Sequence, residues 1–194
     1  MAIASTPSAS LPDRMLRAAR LNVPLYEEVE ADTTATTQAL TVVVLVALAT
    51  GISNAITGAS SGNIVGALLG GIIGALIGWA IWSFVIYIVG TRLFGGVATY
   101  GEVLRTLGFA ETPLILSIVG FIPILGGIIG LVAFIWALVA GFIGTRQALD
   151  ISNGKTVGTI VVALCAVVIV IAILAAIFGT IFGLGMLVGG AARP

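Results

Sequence analysis

The sequence predicts an all-α fold: a polytopic membrane bundle of five transmembrane helices, with a short amphipathic helix ahead of it at a cytoplasmic N-terminus. Three observations predict it. Eight basic and eight acidic residues are the only charges among 194, about a third of the share an ordinary soluble domain carries. Hydrophobic residues make up 59% of the chain and mean hydropathy is +1.24. The charges are also clustered, leaving 33–91, 112–145 and 156–192 with none. A water-soluble enzyme could not cover itself with so little polar surface. Zero net charge without a basic patch argues against nucleic acid as a partner. With no histidine and a single cysteine, Cys165, no metal site, haem site or other cofactor is expected.

Residues 1–36 read as a cytoplasmic arm. Its first ten residues lack the basic start and apolar core of a signal peptide, and read as a flexible lead-in. In SLPDRMLRAAR (10–20), Ser10 and Asp13 have capping spacing and Pro12 suits an early helical position. Leu11, Met15 and Leu16 oppose Arg14, Arg17 and Arg20, as in a short helix lying on an anionic leaflet. The acidic YEEVEAD (26–32) would be repelled by such a surface. It reads as a solvated tether, or as a segment folded back on the arginines or facing a protein.

Residues 37–192 form the expected membrane domain. A span needs about 20 apolar residues, so the first uncharged stretch holds two, near 38–57 and 64–90, broken by GISNAITGASSGN (51–63). As one helix, 107–145 would be about 58 Å long, nearly twice the hydrocarbon thickness. GFIPILGG (120–127), with Pro123, is the natural hairpin, giving spans near 104–121 and 126–145. The fifth span is 156–178, which the Gly-rich tail lengthens or kinks. On this count Arg14, Arg17, Arg20, Arg92, Arg105, Arg146 and Lys155 share one side, opposite Arg193 alone. The positive-inside rule makes that side cytoplasmic.

Small residues recur at helical spacing in two spans. Gly66, Gly70, Gly74 and Gly78 form a glycine zipper on one face of the second, and Ala133, Ala137, Gly141 and Thr145 a weaker one on the fourth. These stripes serve packing within the bundle or a groove facing lipid or a partner. In TYGEVLRTLGFAETPLIL (99–116), Thr99 and Glu102 have capping-box spacing. The helix they start puts Val103, Leu104, Leu107 and Ala110 on its apolar side, and Glu102 and Arg105 on a wet, interfacial side. Pro113 then kinks or restarts it, with Thr112 as a new N-cap. Glu111 is the one acid at risk of membrane burial. It is either an interfacial residue beside a helix start or a proton or ion site. Cys165 reads as a small apolar packing residue.

The YGEVLRTLGFAETPLIL stretch, with Gly108, Ala110 and Pro113, resembles the bacterial branch of the Yip family, the Ypt/Rab-interacting membrane proteins. The resemblance continues through 120–163 and covers roughly residues 22–178. It implies five spans and a cytosolic N-terminus, which the charge count gives independently. Eukaryotic relatives are implicated in vesicle traffic, Rab GTPase binding and membrane shaping. Their Asp-Leu-x-Gly-Pro stretch does not occur here, so small-GTPase binding is doubtful. Arginine-rich charge and Ala/Gly/Val-rich spans suit a prokaryotic cytoplasmic membrane. The function expected is non-enzymatic: a membrane organiser, or an accessory subunit of a larger complex, acting through lipid, other transmembrane proteins or self-association. The alternative is a small transporter or channel component using the proline-broken third span. Catalysis is not expected, because the uncharged spans hold no Asp, the chain holds no His, and Ser83 and Ser117 have no visible base.

Overall fold

A computed structural model describes residues 9–58 and 63–191. The expected lead-in falls mostly outside these residues, as do the middle of the break between the first two expected spans and Arg193. Among the described residues every regular element is helical: α1 (Leu11–Ala19), α2 (Val23–Ala31), α3 (Ala35–Ile56), α4 (Ile64–Leu93), α5 (Tyr100–Ala110), a 3-10 helix η1 (Thr112–Val119), α6 (Leu125–Ala148) and α7 (Asn153–Ala191).

Four of these, α3, α4, α6 and α7 (over Asn153–Phe178), are long and apolar enough to cross a membrane. Their bounds lie within a few residues of the expected first, second, fourth and fifth spans. The expected third span, 104–121, is not one helix. α5 stops at Ala110, and Pro113, which has no amide proton, enters the first turn of a tighter 3-10 helix. Thr112 does not become the new N-cap. Its hydroxyl donates back to the Phe109 carbonyl at 2.6 Å, and Glu111 occupies the cap position.

α5 is the centre of the bundle. Apart from Leu104, every residue from Val103 to Ala110 is buried. α3, α4 and α6 pack around it, while η1 lies between α3 and α6. Gly108 marks the tightest crossing: a Cβ there would stand 2.8 Å from Ala39 Cβ of α3 and 3.1 Å from the Trp79 ring of α4. Trp79 Nε1 also donates to the Leu104 carbonyl at 3.0 Å, so the indole is both a packing body and a clasp on α5.

The turns gather at two ends. At one, the Val97 amide bonds to the Leu149 carbonyl at 3.0 Å and the Leu149 side chain fills the notch left by Gly90. The 94–99 and 149–152 connections are thereby pinned together, beside the arm. At the other end the Thr50 and Ser117 hydroxyls share a hydrogen bond of 2.8 Å. There Gly126 lies so close to the backbone of Gly120 that no side chain fits, and Ile124 turns the hairpin at φ 66°. The glycines of α4 behave differently. A Cβ at Gly70, Gly71, Gly74 or Gly78 would meet none of the described residues within 4 Å.

The two kinds of glycine predict opposite outcomes. Gly108→Ala overpacks a three-helix crossing and should cost about 1–3 kcal/mol. Gly74→Ala gains helix propensity in open space and should leave stability unchanged or raise it by up to about 1 kcal/mol. Thermal melts of the two variants in one detergent check this; similar destabilisation of both would contradict it.

Candidate functional site

Charged side chains gather at the arm end of the bundle, and two of them, Arg14 and Arg105, are buried there. Asn22 caps α2, accepting from the Leu25 amide at 3.1 Å, and Pro24 occupies its first turn. The acidic segment therefore forms a helix, not a solvated tether. Leu25, Tyr26 and Val29 face the core and are fully buried, which is the helical i, i+1, i+4 pattern. α1 forms over the expected residues, but Ser10 makes no side-chain cap and the faces differ from expectation, with Leu16 exposed and Arg14 buried.

The loop between α1 and α2 folds them back to back, and Arg14 joins them. Its Nε donates to Glu28 at 2.9 Å, its Nη2 to Asp32 at 2.7 Å, and its Nη1 to Gln38 of α3 at 3.0 Å. Arg17 takes the other oxygen of Glu28 at 2.6 Å. With only 2% of its side chain exposed, Arg14 cannot serve as a membrane-surface contact. Its guanidinium goes to the carboxylates on α2 and just beyond it. Arg17 is half-buried, and Arg20 alone of the three is exposed. Burial disfavours the Arg14 cation, but its hydrogen bonds to Asp32 and Glu28 outweigh that and raise its pKa. Glu28 is held below the usual carboxylate range: Arg17 and Arg14 overcome its desolvation. Thr34, donating through both amide and hydroxyl, and Arg14 do the same for Asp32. Removing the guanidinium would leave two carboxylates facing each other, a loss of about 3 kcal/mol or more.

Arg105 ties this unit to α5. Expected on a wet helix face, it is instead 5% exposed. Its Nε donates to the Val29 carbonyl at 2.8 Å and its Nη2 to the Glu30 carbonyl. These are unpaired carbonyls of α2's last turn, at the negative end of its dipole. Thr99 and Glu102 start α5 in a reciprocal box: the Thr99 amide donates to Glu102 Oε2 at 2.6 Å, and the Glu102 amide to the Thr99 hydroxyl at 3.4 Å. Gln147 of α6 donates to Glu27 and accepts from Arg146 at 2.9 Å, a third tie to the arm. Glu30 is the group left over. One of its oxygens is buried without a partner among the described residues. Burial, and then the nearby charges of Asp150, Glu27 and Glu102, push its pKa up to about 7 against the pull of Arg105.

The remaining singled-out residues lie elsewhere. Gly66, Gly70, Gly74 and Gly78 run along an exposed face of α4, where Gly66 donates its amide to the Asn63 cap at 2.9 Å. Ala133 is buried, while Ala137 and Gly141 border a groove. Pro113 is buried, and Pro123 is exposed in the hairpin. Glu111 sits at the α5–η1 joint and lines that groove, a cavity of about 170 Å³, together with Trp82, Phe134, Ala137 and Gly141. Cys165 faces outward instead of packing inside. Among the described residues no cluster of three metal-ligating side chains occurs.

Four long apolar helices whose large side chains point outward define an integral membrane protein built as a helical bundle. The family model described as the Yip1 domain matches residues 25–177, and the chain belongs to that family. No curated protein and no solved structure matches it.

The leftover carboxyl gives a pH prediction. A folded pKa above the ordinary 4.5 means that the folded state holds the proton more tightly, so stability falls as pH rises from 4.5 to about 7 and then levels. Glu28 and Asp32 act in the opposite sense, adding stability above about pH 4. Glu30→Gln should flatten the decline and raise stability at pH 8 by on the order of 1 kcal/mol, after allowance for solvent screening. Melts across pH 4–8 check this. A variant that keeps the wild-type decline would contradict the assignment.

Proposed function

We propose that this Yip family protein works without catalysis, through helix–helix and lipid contacts, as a membrane organiser or an accessory subunit of a larger membrane complex. The observation that carries this reading is the open glycine face of α4. Gly70, Gly74 and Gly78 form a smooth track along which another backbone could approach closely, and none of the described residues packs into it. Such a track is costly in helix propensity, roughly 1 kcal/mol per glycine relative to alanine. Among the described residues no contact at these glycines offsets that cost.

The proposal includes five crossings with a cytoplasmic N-terminus. The α5–η1 segment supplies the fifth. Eleven α-helical and eight 3-10 residues advance about 16 Å each, together near the 30 Å of hydrocarbon. A break at depth is tolerated where protein surrounds it, and α3 and α6 flank η1. The arm and the 94–99 and 149–152 turns then share the basic, cytoplasmic side.

Cysteine crosslinking in the native membrane tests both parts, in a Cys165→Ser background. Gly74→Cys should crosslink to another chain well above Ile171→Cys, an exposed site on α7. Gly74→Leu should reduce the size of the assembly without lowering the melting temperature. Thiol labelling should reach Ser152→Cys only from the cytoplasm and Asn54→Cys only from outside. Equal crosslinking from α4 and α7 would overturn the contact face, and labelling of both positions from one side would overturn the topology.

A further inference from the structure

The groove at Glu111 carries a more specific inference. α4 and α6 each pack on α5 but hardly on each other. Between them runs a furrow floored by Leu107, Ala110 and Glu111 and walled by Trp82 on one side and by Phe134 and Ala137 on the other. A second cavity, of about 100 Å³, extends it past Gly141 to Thr145. From Phe134 to Thr145 the furrow follows α6 for about 16 Å, three helical turns. Phe134 and Leu138 are more than half exposed, so the furrow opens sideways, toward lipid.

Glu111 is the single charged group in this furrow. Along the proposed α5–η1 crossing it lies about 16 Å from the start of α5, close to half the hydrocarbon thickness. Among the described residues no hydrogen bond or ion pair reaches its carboxylate. A carboxylate at such depth is costly until a cation meets it. The walls suit that meeting: Ala110, Ala137 and Gly141 are small enough for a backbone to approach closely. Trp82 and Phe134 add aromatic rings that can hold a cation against their faces.

We propose that this furrow docks a transmembrane helix of another protein that carries a lysine or arginine near its midpoint, which pairs with Glu111. A second copy of this chain does not fit the role. Its stretches 33–91, 112–145 and 156–192 contain no Lys or Arg, and Arg105 is engaged with α2. A small cationic ligand fits less well. The cavity at Glu111 is about 170 Å³ and open along its length, whereas small-molecule sites enclose roughly 300 Å³ or more. The proposal rests on the accessory-subunit reading and names the chemistry of one partner.

The test uses the full chain in nanodiscs with labelled 21-residue Leu/Ala helices carrying Lys at the centre, Leu at the centre, or Lys displaced by two turns. Energy transfer should show the central-Lys helix bound about tenfold more tightly than the other two, the gain expected of a polar contact between membrane helices. Glu111→Gln should erase that advantage while leaving the Leu helix unaffected, and Gly141→Leu should weaken all three. The displaced-Lys helix tests the claim on the unaltered chain should a variant fail to fold. Equal binding of the three helices, or a lysine preference that survives Glu111→Gln, would overturn the proposal. Butylammonium bound as tightly as the central-Lys helix would overturn it in favour of a small cation. Failure here with intact crosslinking from Gly74 would remove this docking site alone; loss of both would remove the accessory-subunit reading.

Discussion

The guanidinium of Arg105 donating to the last-turn carbonyls of α2 is the contact on which the arm end of the bundle depends. A buried cation is costly, and here it is stabilised by the partial negative charge of a helix end. Breaking it leaves both a charge and two carbonyls without partners. Because α5 is surrounded by α3, α4 and α6, anchoring α2 to α5 anchors it to the core. Leu25 and Val29 then enter one apolar cluster with Ala39, Trp79 and Phe109, drawn from α3, α4 and α5. The arm is thus a cap on the bundle, and Arg14 locks the outer helix of that cap to the inner one.

The same economy of charge explains the rest. In a chain with 16 charged residues, a charge that pairs internally is no longer offered to a membrane surface. Arg14, Arg17, Glu28 and Asp32 pair with each other, and Arg105 with a helix end. Among the described residues the charges left exposed are Asp13, Arg20, Glu27, Arg92, Asp150 and Lys155, while the long helices turn large apolar side chains outward. The bundle therefore presents two kinds of surface at depth: large aliphatic side chains, and places where side chains are missing. The α4 glycine face and the Glu111 furrow are of the second kind, and contacts between membrane helices favour such places because backbones can come close.

The membrane-crossing helices were readable because hydropathy and length act over some 20 residues, and local signals reported the ends. The Asn63 and Thr99 caps stand where α4 and α5 begin. The fate of the third span turned on tertiary packing. Pro113 announced a break, but the 3-10 continuation depends on α3 and α6 supplying partners such as Thr50 for Ser117. Arg105 was misplaced for a related reason. Helix periodicity assigns an arginine to the polar face, and only the position of α2 turns that face into the interior. The fold of α2 had a readable signal in Asn22 and Pro24 followed by Leu25, Tyr26 and Val29, masked by the run of acids among them. The openness of the α4 glycines could not be read at all, since a small-residue stripe looks the same whether its partner is inside the bundle or outside.

Hydrogen exchange on Arg105→Met tests the anchoring of the arm most directly. If Arg105 holds α2 to the core, amides of α1 and α2 should lose protection together while those of α3 and α4 keep theirs. Unchanged protection across 23–31 would show that the cap is held without this contact and would contradict the account.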